Sequence, residues 1–127
     1  MLINKWKLIK MDAMDKIRSS PMYLIADDET AKKFDEQAKL ILDSVYYDFR
    51  KDNFLIYVDL ENNKPIRRRA KWSLDKDVLS INEIDRIYSR RAKIIKLTDK
   101  ELIISPIVDG EIMDSKMIFK AQSTNSR

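Results

Sequence analysis

A chain of 127 residues that is 44% hydrophobic and 36% charged suits one globular domain with a real core, not a disordered segment. The absence of Cys and His excludes disulfides, thiolate metal sites, a Cys nucleophile and the usual base of a Ser or Cys triad. A net charge of +4, from 25 basic and 21 acidic residues with the signs interspersed, permits nucleic acid, anionic lipid or an acidic partner without demanding any of them.

In chain order, Leu2 to Ile9 alternates as a first strand. No apolar h-region and no cleavage site precede it, as expected of a cytoplasmic protein or of a mature chain whose leader has been removed. No apolar run approaches the roughly 20 residues a membrane helix needs. Residues 11–25 are ambiguous, with Pro21 interrupting them. From Thr30 to Ser44 the period changes: Ala31, Phe34, Ala38, Ile41, Leu42 and Val45 fall at helical spacing. Asp27, Asp28 or Thr30 can cap that helix, and Asp28 and Glu29 suit its positive end.

Strand alternation then resumes. Val45, Tyr47 and Phe49 share a face, as do Phe54, Ile56, Val58 and Leu60, and Arg68, Ala70, Trp72 and Leu74. Val78 to Ile84, Ala92 to Leu97, Glu101 to Val108 and Ile112 to Lys120 continue the pattern, ahead of a polar tail from residue 121. Gly110 is the sole glycine, so Asn and Asp must carry the turns at Lys51-Asp52-Asn53, Glu61-Asn62-Asn63-Lys64-Pro65, Asp75-Lys76-Asp77 and Thr98-Asp99-Lys100. Asp109-Gly110 is the strongest two-residue hairpin signal. The sum is a mostly β domain over residues 1–120. About eight antiparallel strands run in meander order, the number at which a small barrel can close, with one helix inserted after the first strand.

Several segments together resemble bacterial lipocalin-like domains. Asn4-Lys5-Trp6 resembles their G-x-W opening strand, and Tyr47 to Asn53 their F-K-K-D-G hairpin. Ala70-Lys71-Trp72-Ser73-Leu74 is similar to G-T-W-K-L, and Lys93 to Leu102 to I-x-x-L-T-x-x-x-L. Met117-Ile118-Phe119-Lys120 matches the closing strand. Three family glycines stand here as Asn4, Asn53 and Ala70, which leaves a half-barrel or flattened sandwich open beside full closure. The resemblance implies a calycin-type barrel that binds small molecules, in an extracytoplasmic setting.

Barrel closure would turn Val45, Tyr47, Phe49, Phe54, Ile56, Val58, Leu79, Ile81, Met113, Met117 and Phe119 inward, around a packed core or a cavity. Trp6 and Trp72 read as core anchors at the barrel floor, although one of them could line a pocket. The expected ligand-binding set is Tyr47, Phe49, Phe54, Ile56, Arg68, Trp72, Met117 and Phe119. Tyr47 supplies a hydroxyl that needs a partner, and Arg68 a fork for a carboxylate at the mouth. Neither a metal site nor a cofactor is expected, and no acidic pair has the spacing of a calcium loop or a reason to do acid-base work.

The function expected is therefore non-enzymatic binding of a small apolar or amphipathic ligand. A packed barrel acting as a protein-interaction or homodimerisation module is the alternative, and an exposed patch at Leu55, Tyr57 and Ile9 would favour it. Nucleic acid is the least favoured partner. It would need the outer stripe Arg67, Arg69 and Lys71 to act with Arg86, Arg90, Arg91 and an exposed Tyr46, Tyr57 or Tyr88.

Overall fold

Tight chain reversal without glycine requires residues that tolerate the left-handed backbone region, and Asn and Asp do so at least cost. The computed structural model describes residues 2–122. In it Asp52, Asn53, Asn62, Asn63 and Asp109 take φ values of 53–63°, beside Gly110 at 80°. Paired positive φ at Asn62-Asn63 and Asp109-Gly110 gives the two-residue reversal whose twist matches the flanking strands. Lys76, at φ 57°, adopts the same region without a side chain that favours it. Asn53 fits its turn and donates from its side chain to the Trp72 carbonyl at 2.8 Å.

Between these reversals lie β1 (Asn4–Met11), β2 (Tyr46–Arg50), β3 (Phe54–Glu61), β4 (Lys64–Asp75), β5 (Val78–Glu83), β6 (Ser89–Leu97), β7 (Glu101–Val108), β8 (Glu111–Ile112) and β9 (Met117–Ala121). Each of β1 to β7 pairs antiparallel with the next, β7 pairs also with β9, and β9 returns to β1. Eight strands thus close into a barrel, and the short β8 pairs only with β7. Neither a half-barrel nor an open sandwich forms. Ala70, fully buried, pairs with Leu55 and Glu83 in extended backbone, so its methyl group brings no left-handed strain. The last strand extends through Ala121, and the Gln122 amide still bonds the Lys5 carbonyl. The rest of the expected tail, residues 123–127, lies outside the described residues.

The helical segment is richer than one helix. Its main element, α3 (Asp28–Ser44), is capped by Asp27, whose carboxylate accepts the Thr30 amide at 2.7 Å. The ambiguous stretch before it forms α1 (Asp12–Arg18) and α2 (Pro21–Leu24), with Pro21 in the first turn where its missing N–H costs nothing. The three helices connect β1 to β2 and so gather at one end of the barrel. At the other end the reversals at 51–53, 76–77 and 98–100 close the floor, where Trp6, Phe49, Leu55, Leu79, Leu102 and Phe119 are all 0–1% exposed.

One strand has the opposite phase from the expected one. Phe54, Ile56 and Val58 were expected inside, with Leu55 and Tyr57 outside. The three-residue reversal instead pairs Arg50 with Phe54, so Leu55 meets Phe49 and Tyr57 meets Tyr47 across the interior. Phe54, Ile56 and Val58 lie on the outer face opposite Lys71, Arg69 and Arg67. Aliphatic stems of such long side chains can shield neighbouring apolar surface, and Ile56 and Val58 are buried although they face outward. Because both faces of β3 are apolar, alternation gave no sign of its phase. Met113, also expected inside, lies exposed in the connection between β8 and β9.

Candidate functional site

Near the helix-bearing end, the inward positions of five neighbouring strands turn polar. Tyr47 on β2, Tyr57 and Asp59 on β3, Arg68 on β4, Glu83 on β5 and Arg90 on β6 continue the inner rows begun by Phe49, Leu55, Ala70, Ile81 and Ala92. The register sets Tyr57 beside Arg68, Ala70 beside Glu83 and Ile81 beside Arg90.

These groups satisfy one another unevenly. Tyr57 donates its hydroxyl to Glu83. Arg86 grips the same carboxylate through bonds of 2.6 and 3.0 Å, and the Glu83 side chain is 1% exposed. Burial pushes the Glu83 pKa upward, but the bonds from Arg86 and Tyr57 outweigh it and hold the carboxyl below its ordinary value. Burial raises the Tyr47 hydroxyl, against the opposing charge of Arg90. It also raises that of Tyr57, helped by the bond to Glu83. Both phenols therefore stay neutral donors at physiological pH.

Arg90 is placed differently. One Nη donates to the Tyr47 hydroxyl, and the guanidinium lies 5.4 Å from the Tyr47 ring centre and 4.8 Å from that of Tyr57. Its Nε is buried without a hydrogen-bond partner. Among the described residues no carboxylate lies within ion-pair distance of it. Arg68, the expected clamp, is instead held at the rim by Glu61 at 2.8 Å.

A cavity of about 340 Å³ opens here. Leu8, Met11, Ile41, Val45 and Met117 supply apolar lining, Tyr47, Tyr57, Asp59 and Arg90 supply polar groups, and the outward-phased Val58 and Leu60 border it where β3 ends. Met11 reaches it because a bulge between Leu8 and Lys10 shifts the phase of β1. Ile41 comes from α3. Beyond the Tyr47–Arg90 pair lies a smaller space of about 40 Å³ against Ile81, Ala92, Ile104 and Pro106. The interior is thus packed at the floor and hollow toward the helices.

Of the expected ligand-binding residues, Tyr47 and Met117 line both spaces. Phe49 and Trp72 meet edge to face at 5.5 Å in the packed half, and Phe119 packs on Tyr47 at 5.1 Å. Arg68 does not line the cavity, and Phe54 and Ile56 face outward. The sequence reading missed Asp59, Glu83 and the interior roles of Tyr57 and Arg90. The signal for Arg90 was its spacing from Ala92 and Ile94, but the strand expected from Ala92 begins three residues earlier, at Ser89.

The basic constellation expected for nucleic acid is dispersed. Arg69 pairs with Asp85 at 2.6 Å, Arg86 is committed to Glu83, and Arg90 and Tyr57 point inward. The patch at Leu55, Tyr57 and Ile9 that would favour an interaction module does not form, since Leu55 and Tyr57 are buried and Ile9 alone is exposed. Exposed apolar side chains occur instead on the helices, at Ile17, Met22, Leu24 and Ile25.

No family model matches the chain, and no curated protein matches it. A solved structure of an uncharacterized protein from Bacteroides eggerthii DSM 20697 is similar over 94% of this chain and 98% of its own, at 14% identity and a TM-score of 0.55. A lipocalin-like protein from Bacteroides uniformis ATCC 8492 is similar over 62% of this chain and 79% of its own, at 18% identity and a TM-score of 0.49. The architecture, a closed eight-stranded antiparallel meander with helices after its first strand, is the barrel that the sequence resemblance implied.

Proposed function

We propose that the protein binds a small apolar or amphipathic molecule non-covalently in the hollow end of its barrel, without catalysis and without a cofactor. The cavity of about 340 Å³ carries this reading. Its size sits at the lower end of the roughly 300–1,000 Å³ usual for ligand sites, and mostly apolar walls with a few convergent polar groups are what such sites share. Burial of the ligand's apolar surface drives affinity, and the polar groups fix its orientation.

Titration with an environment-sensitive fatty-acid probe tests this, alongside native mass spectrometry of the purified protein. Saturable binding is expected, weakened about tenfold or more by Ile41→Trp, which fills the cavity from α3. Absence of probe binding by the wild-type protein refutes the reading. A second reading, contact with a partner or a second copy through the helices, is favoured by exposures of 46–83% at Ile17, Met22, Leu24 and Ile25. A dimer mass in the same spectra supports it.

A further inference from the structure

We infer that Arg90 is the head-group subsite of this cavity and that the ligand class is an amphiphile with a single carboxylate, seated headfirst with its chain toward α3. The inference rests on the ligand-binding reading above and makes its chemistry specific.

The argument begins with an imbalance of charge. An Arg guanidinium keeps its proton at any working pH and offers five donors in a planar fork. Taking such an ion from water is costly unless an anion or a full set of acceptors replaces the solvent. Arg90 has one accepting hydroxyl, from Tyr47, and two aromatic faces, from Tyr47 and Tyr57. Its Nε is enclosed and unbonded. Of the interior carboxylates, Glu83 is already taken by Tyr57 and Arg86, and Asp59, which accepts the Leu60 amide at 2.9 Å, forms no ion pair with Arg90. Arg90 is therefore a partly buried cation with donors to spare at the wall of a cavity. A carboxylate matches its fork with two parallel bonds.

Two further observations narrow the class. Asp59 lines the same cavity, so a doubly charged head such as a phosphate monoester meets repulsion that a single charge meets less. Away from Arg90 the walls are aliphatic, at Leu8, Ile41, Val45 and Met117, which suits an apolar chain and not a second polar end. The space beyond Arg90, about 40 Å³, is too small for the chain. The head therefore lies at Arg90 and the tail points toward the helices.

Decanoate, decanol and decyl phosphate, titrated against the full chain by displacement of the fluorescent probe, test this. The wild-type protein is expected to bind decanoate about tenfold to a hundredfold tighter than decanol, the range for a charged hydrogen-bonded contact. Arg90→Met is expected to erase that preference. Equal binding of decanoate and decanol by the wild type overturns the inference while the cavity reading stands, and this comparison needs no variant to fold. A preference that survives in Arg90→Met also overturns it. Decyl phosphate binding as tightly as decanoate overturns the single-charge class. If the probe itself does not bind, the underlying reading fails and this inference falls with it.

Discussion

Trp6 and Trp72 look alike in sequence, each one position into an alternating strand, and the fold makes them unequal. The Trp6 indole is fully buried, and its Nε1 donates to the Leu2 carbonyl at 2.9 Å. Trp72 is half-buried, edge-on to Phe49, with Nε1 3.2 Å from the Phe54 carbonyl and 3.4 Å from that of Arg50. A fully buried aromatic hides about 150–250 Å², worth roughly 4–6 kcal/mol at ~25 cal/mol per Å². Against a total stability of about 5–15 kcal/mol, Trp6→Ala risks leaving no folded protein to measure. Trp6→Phe keeps most of the ring but opens a small void and orphans the Leu2 carbonyl, for an expected loss of roughly 2–3 kcal/mol. Trp72→Phe removes an N–H from a partly wet site and is expected to cost less than ~1.5 kcal/mol. Urea unfolding followed by far-UV circular dichroism reads both, since it does not depend on the deleted fluorophore. The two variants should share the wild-type slope and differ in midpoint. If Trp72→Phe costs as much as Trp6→Phe, the barrel is not anchored at its Trp6 floor and the reasoning is wrong.

Two other perturbations probe the turns and the interior charge. Lys76→Gly relieves a left-handed backbone at φ 57° and should raise the urea midpoint by the equivalent of up to ~1 kcal/mol; a fall would show that the lysine stem contributes packing there. Glu83 has a folded-state pKa below its ordinary value of 4.5, so its stabilisation is present above that value and is lost as pH falls through the folded one. Glu83→Gln should therefore be less stable than wild type at neutral pH, and the gap should narrow as pH drops below the middle fours. Parallel stability profiles for the two proteins would remove Glu83 from the acid response.

The sequence by itself determined the number of barrel strands, the meander order, the polar reversals and the helix ending at Ser44, but not the break of the expected strand from Ile112 to Lys120 into β8 and β9. Each is a local matter: period-2 and helical spacing decide element type, and Asn, Asp and one Gly decide where the chain can reverse. Barrel closure needs the pairing of β1 with β9, contacts between residues near opposite ends of the chain that no local pattern encodes. The phase of β3 escaped for a related reason. A strand apolar on both faces takes its inner side from the register of its neighbours, which set Tyr57 inside and Ile56 outside. The site escaped because its meaning is collective. Tyr47, Tyr57, Glu83 and Arg90 are ordinary residues at unremarkable spacings on four strands. Only when the sheet curls do they gather at one space, with Arg90 forming no ion pair to a carboxylate among the described residues.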